Sequence, residues 1–507
     1  MTGSERSTTT RTSSPRPTTD ASSTRSRENS VLAVVCACTV LVVGFVASIN
    51  LAVPELAASG LHPSSTELLW IVDAYVVLFA CLVIPAGAAG DRWGRKGALT
   101  LGMLVFGVGA LLSAIAPDVT VMLVGRVISG VGAAAVLPSG LAVVVHAVGA
   151  KRRPRAIAVW AAMSGVGGVV GNVGGGVLLQ IGSWRWMFAA VVPAAVLSAG
   201  LVASVASRSP RHERKIAPPA VALLTLGTLA LLVGVIQGPV DGWTSPTVTD
   251  AFAASALMFV CWTVYELRSA EPLLDPRVFR TSAVATACVG MLVVFFGMFG
   301  FFFLNASLLQ YSREFTALEA GLGIVPMTVP LIVGARAVPR LVHRVGDRIV
   351  LGSAFVAISG GLAGVASAIH QPYVVYAAWL VVMGIGMTLA LPTLTIAISA
   401  ALPPRHAGVA GGLQATTREL GSALGVAVMG TILTAGFDHR LAGGTHRTVA
   451  QALSASPTMH TAVVDAYTAS ARTSILTLAA IVTVTGALLL TATALGNRTG
   501  SGDAHAR

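Results

Sequence analysis

The chain has 507 residues, of which 54% are hydrophobic and only 11% charged. Ordinary soluble domains carry roughly 25% charged residues, so a string of soluble domains is excluded: there are too few charges to cover their surfaces. Thirty-three Lys and Arg against 21 Asp and Glu leave a net charge of +12. The basic residues fall in short clusters between apolar runs, with no continuous basic face, which argues against a nucleic-acid partner. Cys36, Cys38, Cys81, Cys261 and Cys288 all lie inside apolar runs, where cysteine acts as a small hydrophobe. The composition is that of an integral membrane protein.

Residues 1–30 hold 16 Ser and Thr, five Arg and two hydrophobic residues, and read as a disordered tail. The apolar run that follows is long enough to span and lacks a clear cleavage site, so it does not read as a signal peptide. Fourteen apolar stretches reach the length of about 20 residues needed to cross a bilayer: 31–54, 68–89, 97–116, 119–146, 155–180, 186–207, 218–238, 250–267, 282–310, 320–341, 349–369, 372–398, 407–434 and 473–495. Each is expected to be helical, because lipid offers no partners for backbone N–H and C=O groups. None alternates as a membrane β-strand would. The predicted fold is an all-α polytopic membrane protein with 14 transmembrane helices.

Charge gives the predicted orientation. With the amino terminus in the cytoplasm, the inner segments hold 25 Lys and Arg against five in the outer segments, as the positive-inside rule requires. Both termini are then cytoplasmic, and the basic loops face anionic lipid. Segment 435–472 is the one long outer loop, and 496–507 a second cytoplasmic tail. None of the three lysines follows a glycine, so the chain has no phosphate-binding loop of the Gly-Lys-Ser/Thr kind. Direct use of ATP is excluded, and no filter-like loop or ring of acids marks a channel.

Several motifs carry more information. After the second span comes Gly87-Ala-Ala-Gly-Asp91-Arg92-Trp93-Gly94-Arg95-Lys96, an acid and three cations around a tight turn. It resembles the loop signature of the major facilitator superfamily. Further stretches resemble that superfamily's 14-span drug:proton antiporter branch: Trp70-Ile-Val-Asp73-Ala-Tyr75, Arg126-Val-Ile-Ser-Gly130, Gly171-Asn172-Val-Gly-Gly175-Gly176, Trp184-Arg-Trp-Met-Phe188, Glu266 with Pro272 to Phe279, and Arg418-Glu419-Leu-Gly421. The resemblance implies two six-helix bundles, residues 31–207 and 282–495, with two inserted helices and a basic linker in 208–281. It also implies a substrate site near the midplane between bundles that rock to expose it alternately. A faint echo of the first loop, His343-Arg344-Val-Gly346, fits an internal repeat that has lost its acid. Two positions depart from the branch: Phe45 stands where an Asp is common in the first span, and Asn172 replaces the usual Pro of the fifth.

Acids within spans are functional suspects by default. Asp73 is expected about 9 Å inside the outer end of the second span and Arg126 at about 12 Å in the fourth, which permits a pair; Glu419 is expected about 18 Å into the thirteenth. These three are the candidate proton-coupling residues, with a structural ion pair or a solvated acid as the alternatives. Gly87, Asp91, Arg92, Gly94 and Arg95 form the candidate conformational gate, and Gly171, Asn172, Gly175 and Gly176 an antiporter-type glycine motif. Asn50, Asn305, Gln310 and Gln414, with Trp160, Phe295, Phe296 and Phe299, are candidate substrate contacts. No His or Cys spacing marks a metal site, and no cofactor is implied. The expected partners are a small-molecule substrate, protons and the lipid bilayer; no feature demands an oligomer, and a monomer is the default expectation. The resulting reading is a proton-exchanging exporter of drugs or antibiotics in the bacterial plasma membrane, not an enzyme. An exporter of an ordinary metabolite or lipid, or a non-transporting sensor on the same fold, are the alternatives.

Overall fold

The computed structural model describes residues 18–57, 59–63, 65–207, 217–402, 407–441 and 460–502, and the described residues are helical apart from short connections. The first seven helices are α1 (Thr18–Ala57), α2 (Ser65–Trp93), α3 (Arg95–Ala114), α4 (Val119–Ala147), α5 (Arg153–Ile181), α6 (Arg185–Ala189) and α7 (Val191–Val205). A pair follows, α8 (Pro218–Asp241) and α9 (Pro246–Arg268), and then a 3₁₀ turn (Pro276–Arg280). The rest are α10 (Ser282–Arg313), α11 (Ala317–Leu322), α12 (Val325–Gly334), α13 (Val338–Val345), α14 (Asp347–Ser367), α15 (Tyr373–Ala401), α16 (Ala407–Arg440) and α17 (His460–Gly502).

Thirteen helices among the described residues are long and apolar enough to cross a membrane. The tenth expected span, 320–341, is not one continuous helix. It is divided between α11, α12 and α13, with a bend of 68° between the Leu318–Gly334 and Val338–Val345 segments. Proline marks the breaks: Pro326 and Pro339 sit in the first turns of α12 and α13, where a helix start tolerates the missing donor. Two further differences lie at the margins. Residues 18–30, expected in the tail, continue α1, and α16 and α17 run into the expected outer loop from both sides. Residues 1–17, the basic stretch 208–216, residues 403–406, the loop centre 442–459 and residues 503–507 lie outside the described residues.

Helices α1–α7 pack on one another, chiefly α3 on α4, α1 on α5 and α2 on α4; α10–α17 do the same through α10 on α16, α14 on α15 and α17 on α14. These are two bundles, an N-terminal and a C-terminal half. The α8–α9 pair lies outside both and touches α2 and α16 through α8. Leu257 and Val260 of α9 are exposed, as a lipid-facing helix should be.

Small residues set the close approaches. A methyl group at Gly109 of α3 would lie 2.3 Å from Ser129 N of α4, and one at Gly132 of α4 would lie 2.3 Å from Phe106 N of α3. Glycine therefore lets the two backbones touch, as in other membrane helix pairs. Glu266, at the end of α9, accepts a hydrogen bond from Leu273 N at 2.7 Å and so holds the 272–279 stretch against the inserted pair. Between the halves, α16 packs on α2 and α4, and α5 packs on α11, α12, α13 and α15.

Candidate functional site

The gate motif occupies the tight turn between α2 and α3. Gly94 has φ 114°, a conformation open to glycine and strained for other residues. It lies at the amino end of α3, and Gly346 (φ 87°) lies likewise at the amino end of α14. The sequence echo is thus a repeated turn. Asp91 is buried at 4% exposure and accepts from Arg95 Nε at 2.9 Å. Its other oxygen accepts from the backbone N–H of Val409 at 3.4 Å. That N–H belongs to the first turn of α16, where helix donors lack internal partners and the helix dipole favours a negative charge. One carboxylate therefore ties the two halves together at the end carrying the basic loops. Around it, methyl groups at Gly411 and Gly412 would lie 2.7 Å from Pro138 Cα and Ile84 Cα, so α16 rests directly on α4 and α2. Arg92 stacks over the exposed Trp93 at 5.7 Å, and Gly87 is buried within α2.

Arg126 is wholly buried (0% exposed). Its Nε donates to Ile71 O at 2.7 Å and its Nη2 to Val72 O at 3.0 Å. The guanidinium lies over the rings of Phe45 at 5.0 Å and Tyr75 at 4.9 Å. Phe45 also meets Phe106 and Phe188 edge to face at 5.2 and 5.6 Å. Where the antiporter branch commonly has an acid, this chain places an aromatic ring against the buried cation, a cation–π contact. Asp73, half-buried on α2, forms no ion pair with Arg126 among the described residues but stays within electrostatic reach of it.

At the centre, α16 brings Gln414, Arg418 and Glu419 to the contact between halves, all buried. Arg418 Nη1 donates to Ser164 Oγ of α5 at 3.0 Å, and its guanidinium lies 4.7 Å from the centre of the Phe295 ring on α10. Gln414 Nε2 donates to Thr395 O at 3.4 Å and Ser399 Oγ at 3.0 Å on α15. These groups, with Trp160 and Met291, enclose a cavity of about 10 Å³. Trp160 Nε1 and Arg418 Nε are buried donors without a hydrogen-bond partner among the described residues. Glu419 is buried on the same helix but does not share this cavity.

The remaining expected residues have other settings. Gly171 and Gly175 pack α5 on α1: a methyl at Gly171 would fall 2.0 Å from Gly44 O, and one at Gly175 would fall 2.9 Å from Ser48 Cβ. Gly176 faces Leu318 of α11 at 3.4 Å, and Asn172 is half-buried. Asn305 is buried and accepts from the Tyr376 hydroxyl, within the C-terminal half and away from the central cavity. Gln310 is half-buried near the end of α10. Phe296 is buried, and Phe299 stacks on Phe295 at 6.1 Å. Asn50 is on α1, and its side chain lies outside the described residues. Sequence reasoning missed Ser164, which carries no motif, and the Val409 N–H, which belongs to every residue type. The Gly411-Gly412 doublet was a readable signal of close approach.

Comparison with known proteins places these features. Residues 35–426 match the model of the Major Facilitator Superfamily. The chain is 30% identical over 411 residues to the methylenomycin A resistance protein of Streptomyces coelicolor, covering 79% of this chain and 86% of that one. It is 29% identical over 376 residues to the tetracenomycin C resistance and export protein of Streptomyces glaucescens, covering 74% and 70%. The multidrug resistance protein Stp of Mycobacterium tuberculosis is similar at 29% over 389 residues, covering 76% and 72%. Among solved structures, the human organic anion transporter MFSD10 superposes with a TM-score of 0.63 at 16% identity, covering 91% of this chain and 99% of that one. The xylose symporter XylE gives 0.56 at 13%, covering 89% and 95%. Two bundles, an inserted helix pair and a tight turn joining the halves thus coincide with a family match over most of the sequence, and the chain belongs to the major facilitator superfamily.

Proposed function

We propose that this protein exports drug- or antibiotic-like small molecules across the plasma membrane by alternating access, in exchange for protons. The observation that carries the reading is the contact between halves: the Asp91–Val409 and Arg418–Ser164 hydrogen bonds bridge them and close the central cavity to about 10 Å³. Substrate binding requires that these contacts part, which is the rocking motion of alternating access. The similarity to Streptomyces proteins named for methylenomycin A resistance and for tetracenomycin C resistance and export supports a cargo of that class. Trp160, Phe295, Gln414 and Arg418 are the proposed substrate contacts, and Asp73 and Glu419 the proposed proton carriers. The basic loops support an orientation with both termini in the cytoplasm.

The test is ethidium transport in inverted vesicles with an imposed pH gradient, comparing wild type, Asp73→Asn and Glu419→Gln. Gradient-driven uptake by the wild type, lost in one variant that still folds, assigns the coupling carboxylate. A wild type that moves no ethidium where a known exporter does removes broad drug export and leaves a narrower cargo. Retained coupling in both variants and in their combination removes these two acids from the proton path.

A further inference from the structure

Two cavities adjoin at the basic end of the molecule. The first, about 540 Å³, lies between α1, α5 and the break that separates α12 from α13. Its inner wall is apolar, built from Leu32, Ala33 and Cys36 of α1 and Val159 and Met163 of α5. Arg152, Arg155 and Arg336 line it too, and the same three arginines line the second cavity, about 510 Å³, together with Lys151, Arg340 and Arg344. The two are therefore one cleft, apolar within and cationic at the rim. Six cations meet there, three from the N-terminal half and three from the C-terminal half. Glu28 is the one carboxylate among the lining residues, and it is already engaged by Arg152 and Gly149 N. Like charges gathered at the edge of a low-dielectric slab repel strongly, and here the repulsion acts directly between the halves.

We propose that this cleft binds an anionic phospholipid of the cytoplasmic leaflet. Its phosphate lies between Arg155 and Arg336, Arg152 being already paired with Glu28, and one acyl chain lies along the α1–α5 wall. Arginine suits the role because its planar fork pairs phosphate oxygens two at a time, and basic pockets between membrane helices at the cytoplasmic side hold anionic headgroups. A cleft of this size is in the range of built ligand sites, about 300–1,000 Å³. The break in the tenth span belongs to the site: Arg336 lies in the connection between α12 and α13, and α13 brings Arg340 and Arg344 to the same cavity. Because the halves contribute equally to the rim, a bound phosphate offsets their repulsion only while they are together. The lipid accordingly favours the state that is closed at this end.

The proposal rests on the orientation given above, but its test does not need transport. The purified chain is exchanged into detergent micelles containing either phosphatidylglycerol or phosphatidylcholine, and retained lipid is counted by native mass spectrometry beside the unfolding temperature. Wild type is expected to retain phosphatidylglycerol at least tenfold more than phosphatidylcholine and to unfold at a higher temperature with it. Arg155→Gln with Arg336→Gln should lose that preference, and Arg155→Lys with Arg336→Lys, which keeps the charge without the planar fork, should restore only part of it. Val159→Trp, which fills the apolar wall without touching a charge, should lose it too. Equal retention of the two lipids by wild type overturns the proposal, as does a preference that survives the double glutamine variant. Inorganic phosphate that stabilises as well as the lipid overturns the acyl-chain half and leaves a soluble-anion site. A chain that shows the lipid preference yet moves no ethidium would remove broad drug export and leave this proposal standing.

Discussion

Gly411 offers the sharpest test of the gate. It lies in an early turn of α16, where a methyl group would come within 2.7 Å of Pro138 Cα. That atom belongs to the backbone of α4, so no side-chain rotation relieves the clash. Forcing an extra methylene into a packed site costs about 1–3 kcal/mol. On the alternating-access reading the strain exists only while α16 rests on α4, so Gly411→Ala destabilises one state alone. Taking about 2 kcal/mol, the equilibrium moves about thirtyfold toward the state parted at the basic end. The gain in helix propensity from Gly to Ala applies to both states and cancels. Pulsed electron paramagnetic resonance between labels at Trp93→Cys and Arg348→Cys reads this directly. Both positions are exposed, they belong to different halves, and Cys261→Ser removes the one exposed native cysteine. Gly411→Ala should replace the short-distance population with a longer one. Gly171→Ala is the control: its methyl would lie 2.0 Å from Gly44 O, a clash inside the N-terminal half. It should lower stability without changing the distances. Gly97→Ala meets nothing within 4 Å and should do neither. The reasoning fails if folded Gly411→Ala keeps the wild-type distances, or if Gly171→Ala shifts them as much.

Three further outcomes follow from particular contacts. Arg126→Lys keeps the charge but cannot span both Ile71 O and Val72 O from one planar group; losing one such charged hydrogen bond costs about 1.5–3 kcal/mol, and an unchanged unfolding temperature in detergent would show that the clamp is unimportant. Phe45→Ala should cost about 3–5 kcal/mol by opening a cavity among Tyr75, Phe106 and Phe188, and Phe45→Leu much less; equal losses would argue against an aromatic wall around Arg126. Glu28→Gln weakens the hold of Arg152 and Gly149 on the start of α1, so trypsin should cut after Arg25 and Arg27 several-fold faster than in wild type, while identical digestion patterns would mean that this ion pair does not anchor the extension.

Much of the architecture could be read without coordinates, because crossing a bilayer is a one-dimensional constraint. A run of about 20 apolar residues must form a helix to satisfy its own backbone, so span number followed from composition along the chain. The Gly94 turn was legible for a similar reason: a positive φ leaves a local mark in residue type. The break in 320–341 was hidden, because hydropathy stays high through Pro330 and Gly334 and does not register helix direction. Segment 18–30 poses the opposite problem: its polar composition says nothing about the Arg152 and Gly149 contacts that secure Glu28.

Contacts between helices belong to the tertiary structure alone. Asp73 and Arg126 were expected at similar depth, yet depth does not fix the rotation of either helix, and the guanidinium turned to carbonyls and rings. Asp91 was marked by its motif, but its partner is a backbone N–H some three hundred positions away, of a kind that no side-chain pattern can announce. Arg418 and Glu419 are neighbours in sequence and face different surroundings, because successive helix residues point about 100° apart. What the sequence determined by itself was how often the chain crosses the membrane and where its charges cluster. Which faces meet, and so which buried charges share a site, was decided only by packing in three dimensions.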